Sequence, residues 1–322
     1  MQKILVIFVI LFSSTINSRS YIDYESPYHP VVGNYGMVVS QNYLSSDIGI
    51  EILNKGGNAI DAAVAVGFSL AVTLPRAGNL GGGGFMLVYL KEKDEIFYID
   101  YRSKSPLNSN LENIFNIYSS DGKKYEVVPK SFDTNIFDVL DSGYKASAVP
   151  GTVAGLLDAH AYFGKLELSE VLAPVIAQAT NGIMVSYDLH KAIESTPRLY
   201  DDLESRRLYF KNDTAIEENS ILKLPDLANT LSLISKNGKD GFYKGETAKK
   251  IIEAMNNNGG LMKLVDFDQY TAKIRSPIST EYRGNKVFTA GPPSGGGITL
   301  LTALNILSFF ELEKYKSNSI MT

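Results

Sequence analysis

The sequence predicts an α+β fold, and three features carry that expectation. Apolar segments at helical spacing recur along the chain and stop at glycines. Two apolar strands flank a short polar turn, which pairs them as a hairpin rather than through a strand–helix crossover. Of the 322 residues, 44% are hydrophobic and 20% charged. That is enough apolar material for a packed core and too little charge for a disordered chain.

Residues 1–20 read as a secretory signal peptide, with Lys3 followed by the unbroken apolar run 4–12 and a small, polar stretch to Ser20. An apolar run of nine residues is too short to cross a bilayer. Ser18 and Ser20 supply small residues for a cut after Ser20. The expectation is an exported chain, periplasmic or secreted, with no membrane association once the signal is removed. Residues 45–53 place Ile48, Ile52 and Leu53 at helical spacing, opened by a serine and closed by Gly56-Gly57. Asn58 caps the next helix, 59–73, with Asp61 in the third position beyond it. This helix is apolar almost all round, so most of its surface is expected inside. Strands follow at 85–90 and 95–101, joined by the polar turn 91–94. Residues 103–143 are polar and irregular, a long excursion.

Helices are then expected at 152–163, 169–180 and 187–194, the last running up to Pro197. Two more follow at 225–236 and 246–257. Asn181-Gly182, Asn237-Gly238 and Gly259-Gly260 supply the stops. Residues 272–281 and 286–290 read as two strands joined through Tyr282-Arg283-Gly284-Asn285. A glycine-rich break then leads into an apolar helix at 298–312. No repeat, linker or charge block divides the chain.

Most generic chemistries are excluded. Lys+Arg number 31 against 35 Asp+Glu, a net charge of −4, which leaves no nucleic-acid footprint. With no Cys there is no disulfide, thiolate or Cys-ligated metal. No phosphate-binding G-x-x-x-x-G-K-[ST] or zinc-binding H-E-x-x-H occurs. The run at 78–84 is not a dinucleotide fingerprint, because a hairpin follows it. His29, His160 and His190 read as surface or packing residues. Asp266-x-Asp268 lacks the glycine and distal glutamate of a calcium loop. Gly151-Thr152-Val153-Ala154-Gly155 has the frame of a nucleophile elbow with valine where serine must stand. Asn212-Asp213-Thr214 is a sequon with meaning only in a eukaryotic secretory pathway. Arg102 follows an apolar strand in Ile99-Asp100-Tyr101-Arg102. A guanidinium there binds a carboxylate ligand, or forms a structural ion pair with Asp100 or another neighbour; the residues alone favour the pair. The glycine-dense runs likewise read as ligand approach or as tight packing, and packing is favoured.

The order of motifs adds a resemblance. The chain carries Gly36-Met37-Val38-Val39-Ser40, Gly56-Gly57-Asn58-Ala59-Ile60-Asp61-Ala62-Ala63-Val64-Ala65, Ala77-Gly78-Asn79-Leu80-Gly81-Gly82-Gly83-Gly84-Phe85-Met86 and Asp100-Tyr101-Arg102. Further on stand Val149-Pro150-Gly151-Thr152-Val153-Ala154-Gly155, Phe242-Tyr243-Lys244-Gly245, Asn258-Gly259-Gly260-Leu261, Tyr282-Arg283-Gly284 and Pro292-Pro293-Ser294-Gly295-Gly296-Gly297. In this order, from about residue 30 to about residue 312, they resemble the large-subunit portion of the γ-glutamyltransferases, also called γ-glutamyltranspeptidases or glutathione hydrolases.

The resemblance implies an N-terminal-nucleophile hydrolase architecture, a four-layer αββα sandwich. In that family a precursor cuts itself before a threonine, which becomes the first residue of a small subunit. Its hydroxyl attacks the γ-glutamyl amide of glutathione or a related compound, and its own α-amine can act as the base. The acyl group passes to water, an amino acid or a peptide, without metal or organic cofactor. By position, Arg102 corresponds to the arginine that holds the substrate α-carboxylate. The runs of glycine correspond to scaffolding. The departure is equally specific: no Thr-Thr pair occurs, and Thr322 is the last residue given. The sequence therefore reads as a signal peptide (1–20) and a large-subunit region (21–322) truncated before the self-cleavage site. It is an incomplete sandwich without its small-subunit part, with no catalytic residue of its own and no turnover alone. Three origins stay open: a truncated enzyme, one half of a split enzyme, or a catalytically dead exported amino-acid-binding or scaffold protein.

Overall fold

The computed structural model describes residues 31–110 and 143–314. The expected signal peptide, the middle of the 103–143 stretch and Thr322 lie outside them. The chain divides at Val38, and the described residues before it, 31–37, hold no helix or strand.

The unit from Val38 opens with two packed helices, α1 (Tyr43–Asn54) and α2 (Ala59–Thr73). Asn42, not a serine, caps α1: its Oδ1 accepts the Leu44 N–H at 3.0 Å. Ser45, expected to open the helix, is fully buried instead. Its hydroxyl lies 2.8 Å from both Ser69 Oγ and Thr73 Oγ1 of α2 and joins the two helices. The expected cap of α2 is present. Asn58 Oδ1 accepts from the N–H of Ile60 (2.9 Å) and Asp61 (3.0 Å), and Asp61 Oδ2 returns a bond to the Asn58 N–H at 2.9 Å. The fully buried Asp61 also accepts the N–H groups of Lys165 (3.0 Å) and Leu166 (3.3 Å). One carboxylate thus holds the start of α2 and a loop a hundred residues away in the chain. Val64, Ala65, Phe68 and Val72 of α2 are fully buried, as the all-round apolar pattern predicts. Asp61→Ala removes the reciprocal half of the capping box and orphans the Asn58, Lys165 and Leu166 N–H donors, so unfolding free energy should fall by at least about 2 kcal/mol in a denaturant titration.

The expected hairpin is β1 (Gly84–Leu90) and β2 (Glu95–Tyr101), antiparallel from Gly84↔Tyr101 to Leu90↔Glu95. The expected strand at 272–281 is two strands. Residue 277 is proline, which cannot donate to a ladder, and the chain changes sheet there. β7 (Lys273–Arg275) pairs with the free edge of β2, and β8 (Ile278–Tyr282) pairs with β9 (Asn285–Thr289). Arg283 (φ 50°) and Gly284 (φ 75°) form the two-residue turn of that second hairpin.

Between the hairpins stand α3 (Thr152–Phe163), α4 (Leu168–Asn181), β3 (Ile183–Met184) and α5 (Tyr187–Glu194). α5 ends at Glu194 as expected, and Pro197 opens α6 (Arg198–Asp201). Next come α7 (Leu203–Tyr209), β4 (Phe210–Lys211), β5 (Thr214–Ala215) and β6 (Ile221–Leu222). α8 (Pro225–Asn237), α9 (Asp240–Tyr243), α10 (Gly245–Asn257) and α11 (Leu264–Asp268) follow. The glycine stops Gly182, Gly238 and Gly259 adopt φ of 92°, 58° and 72°. The last helix, α12, spans Gly295–Leu307, not 298–312, because the Ser294 hydroxyl caps it at the Gly297 N–H. Among the described residues the sheets are β1-β2-β7 and three two-stranded ladders, so the molecule mixes helix and strand as expected. No helix among the described residues is long and apolar enough to cross a membrane.

Candidate functional site

β2 ends at Tyr101 and delivers Arg102 to the surface, where its side chain is exposed. The chain turns here because Asp100 Oδ1 accepts the Arg102 backbone N–H at 3.1 Å. The structural ion pair that the residues alone favour, with Asp100 or another neighbour, is not formed among the described residues. The other carboxylate oxygen takes Arg275 Nε of β7 at 2.8 Å. Among the described residues no side chain bonds the Arg102 guanidinium.

Glycines hold the strand end from two sides. Gly82 O accepts the N–H groups of Gly151 (2.7 Å) and Thr152 (3.1 Å). Lys104 and Val149 exchange two backbone bonds, at 3.2 and 2.8 Å. A Cβ on Gly83 would lie 2.4 Å from Ser103 N. One on Gly151 would lie 2.0 Å from Tyr101 O, and one on Gly155 2.0 Å from Tyr101 Cγ. The packing reading of these glycines holds: they let two segments close on Tyr101-Arg102-Ser103. In the second glycine run, Gly295 would meet nothing, while a Cβ on Gly297 would meet Ala290 O at 1.9 Å.

Three tyrosines back the site. The Tyr270 hydroxyl donates to Arg102 O at 3.0 Å. The Tyr243 hydroxyl donates to Pro150 O at 2.8 Å and accepts the Ala154 N–H at 3.2 Å. Their rings stack with centroids 5.8 Å apart. Burial pushes the Tyr101 hydroxyl up to about 12 and raises Tyr243 and Tyr270 as well. Lys104 donates to Thr271 O at 3.1 Å and lies over the Tyr270 ring. Burial, then the nearby Lys273 charge, lowers its pKa.

The raised Tyr101 pKa has a sign for stability. The neutral phenol is favoured in the fold, so its contribution is complete below the unfolded value of 10.0 and is lost as pH rises toward 12. Thermal melts should therefore fall through that window, and Tyr101→Phe should flatten the fall. A Tyr101→Phe protein that loses stability there as steeply as the parent would exclude Tyr101 as the cause.

Other sequence candidates sit elsewhere. His160 Nε2 pairs with Leu166 O at 2.9 Å, 3.7 Å from Asp61, and His190 Nδ1 pairs with Ile216 O at 2.8 Å. Both ring nitrogens bond backbone carbonyls, which agrees with a packing role. His29 lies outside the described residues. Asp266 caps α11 through the Lys263 N–H and holds the Leu107 N–H, both at 2.7 Å, rather than opening toward a cation. Among the described residues no group of three or more His, Asp or Glu side chains is placed to hold a metal. A cavity of about 680 Å³ is lined by Asn79, Leu80, Pro150, Phe242 and Met255 among others, and Arg102 is not in its wall. Arg275 and Tyr270 are the site residues missed by sequence reading. Arg275 ends β7 and Tyr270 lies just before it, and pairing of that segment with β2 was the signal that would have found them.

The fold is shared with transpeptidase and acylase structures. It matches a γ-glutamyltranspeptidase of Helicobacter pylori (TM-score 0.80, 34% identity, 90% of this chain and 80% of that one). It also matches a γ-glutamyltranspeptidase of Pseudomonas nitroreducens complexed with L-DON (0.75, 36%, 88% and 80%). A cephalosporin acylase of Bacillus halodurans matches at 0.74 and 26%, over 94% of this chain and 55% of that one. In sequence, the glutathione hydrolase proenzyme of Escherichia coli is 37% identical over 293 residues, 90% of this chain and 48% of the relative. The model of the γ-glutamyltranspeptidase family matches residues 45–322. The chain belongs to that family, as its large-subunit portion, and spans about half the length of the curated relatives it matches.

Proposed function

We propose that this chain serves γ-glutamyl transfer, from glutathione or a related amide to water, amino acids or peptides, with Arg102 holding the donor's α-carboxylate. The observation that carries the reading is a guanidinium that no described side chain bonds, on a strand end locked by Gly82, Gly83, Gly151 and Tyr270, in a chain of this family. A planar fork of donors matches a carboxylate, and a rigid strand end carries it with no backbone left to order.

In this reading the reacting threonine, the oxyanion donors and the groups that grip the substrate amine belong to a small-subunit part outside these 322 residues. The threonine hydroxyl attacks the γ-carbonyl, its α-amine takes the proton, and the amine product leaves. That proton goes to the departing amine; water or an acceptor amine then attacks the glutamyl ester, the bond to the threonine oxygen breaks, and glutamate or a new γ-glutamyl amide leaves with the threonine hydroxyl restored. No metal or organic cofactor takes part. The small-subunit part completes the four-layer αββα sandwich and covers apolar surface such as Ile298, Leu300 and Ile306 of α12 and the adjacent Phe309, all exposed here. The signal peptide at 1–20 directs the protein to the periplasm or medium, where such amides are degraded.

The test is hydrolysis of a γ-glutamyl anilide. The purified 322-residue chain should give no turnover, and addition of a separately produced small-subunit part should give it. Turnover by the chain alone would overturn the assignment of the nucleophile. Failure of every small-subunit part to confer it, with glutamate still bound by the chain, would favour a binding protein.

A further inference from the structure

We infer that Arg275 is a positioning residue for the γ-glutamyl site: by occupying Asp100 it keeps that carboxylate off Arg102 and leaves the guanidinium free for substrate. This rests on the assignment of Arg102 proposed above.

Asp100 stands two residues before Arg102 and is only 7% exposed. A carboxylate so buried needs a cationic or N–H partner on each oxygen. One oxygen is turned to the Arg102 backbone N–H (3.1 Å) and the other to Arg275 Nε (2.8 Å). Four cationic residues stand near it in the chain or across the ladder: Arg102, Lys104, Lys273 and Arg275. Lys104 is committed to Thr271 O and the Tyr270 ring. Lys273 is the register partner of Asp100 across the β2–β7 ladder, yet the bond goes to the diagonal Arg275. The Arg102 guanidinium is left over. Without Arg275, a carboxylate tethered two residues from Arg102 would compete with every incoming substrate carboxylate at high effective concentration. β7 therefore does more than extend the sheet: it brings the cation that neutralises an internal competitor.

The experiment measures binding of L-glutamate and the kinetics of γ-glutamyl anilide hydrolysis on the assembled two-part protein. Arg275→Met should raise the glutamate Kd and the donor KM about tenfold with kcat little changed, the size of one charge-assisted bond. Adding Asp100→Asn in that background removes the competitor and should bring both values back to within about threefold of the parent. Arg275→Lys, which keeps a cation and the fold, should stay within about threefold as well. Arg102→Ala serves as the reference. If it weakens binding while Arg275→Met does not, Lys273 has replaced Arg275 and the inference fails alone. If Arg275→Met and the double variant are equally weak, Arg275 is merely structural and the inference fails. If Arg102→Ala binds like the parent, the assignment of Arg102 itself is wrong.

Discussion

Replacing Arg102 by alanine should weaken binding of a γ-glutamyl donor by roughly 1.5–3 kcal/mol, a loss of roughly 10- to 150-fold in affinity. The size follows from what the side chain would do. A charge-assisted fork to a carboxylate is stronger than a neutral hydrogen bond. The strand end is already rigid, so little of that strength goes into ordering the chain. Arg102→Lys keeps the charge and loses the fork, and should fall between the two. Neither change should disturb the fold, because the side chain is exposed and the structural bonds at this residue run through its backbone N–H and O. Stability of the alanine variant should stay within about 0.5 kcal/mol of the parent. A binding loss without a melting shift separates recognition from scaffolding.

Gly155→Ala should lower stability by about 3 kcal/mol or more. Helix propensity alone points the other way, since alanine in a helix interior is favoured over glycine by about 1 kcal/mol. Packing decides the sign. The added Cβ would stand 2.0 Å from Tyr101 Cγ and 2.3 Å from Tyr101 Cβ. Neither side yields easily, because Gly82 O binds the Gly151 and Thr152 N–H groups at the start of α3, and β2 is paired on both edges. Gly295→Ala is the matched contrast. It lies at the start of α12 with nothing near its Cβ position, and should be neutral or slightly stabilising. Equal destabilisation by both changes in urea titrations would show that the close approach to Tyr101 is not the cause.

Much of the fold was legible where the signal is local. Asn58 and Asp61 announce the start of α2 from three residues of spacing, and α3 and α5 follow their apolar periods to the residue. Ser45 misled because serine both caps helices and packs between them. Its partners Ser69 and Thr73 lie 24 and 28 residues on, beyond local reading. The two-residue ladders β3–β6 and β4–β5 are too short to show any period. Pro277 did carry a signal, since proline interrupts a ladder, and a strand drawn through it was wrong.

The site divides in the same way. That Arg102 closes an apolar strand is visible in the sequence; the carboxylate-binding role proposed for it rests on the family resemblance. Sequence proximity pointed to Asp100 as its partner. The structure instead pairs Asp100 with Arg275, 175 residues further along the chain. The packing role of the glycines was readable, but not that Tyr101 is what they make room for.

The most direct measurement pairs two donors with two proteins: a γ-glutamyl anilide and its analogue lacking the α-carboxylate, each with the parent and Arg102→Ala forms of the assembled enzyme. The parent should prefer the carboxylated donor by at least about tenfold in kcat/KM. Arg102→Ala should lose most of that preference, because the two changes delete the same contact. An alanine variant that still discriminates as well as the parent would show that the carboxylate is held elsewhere.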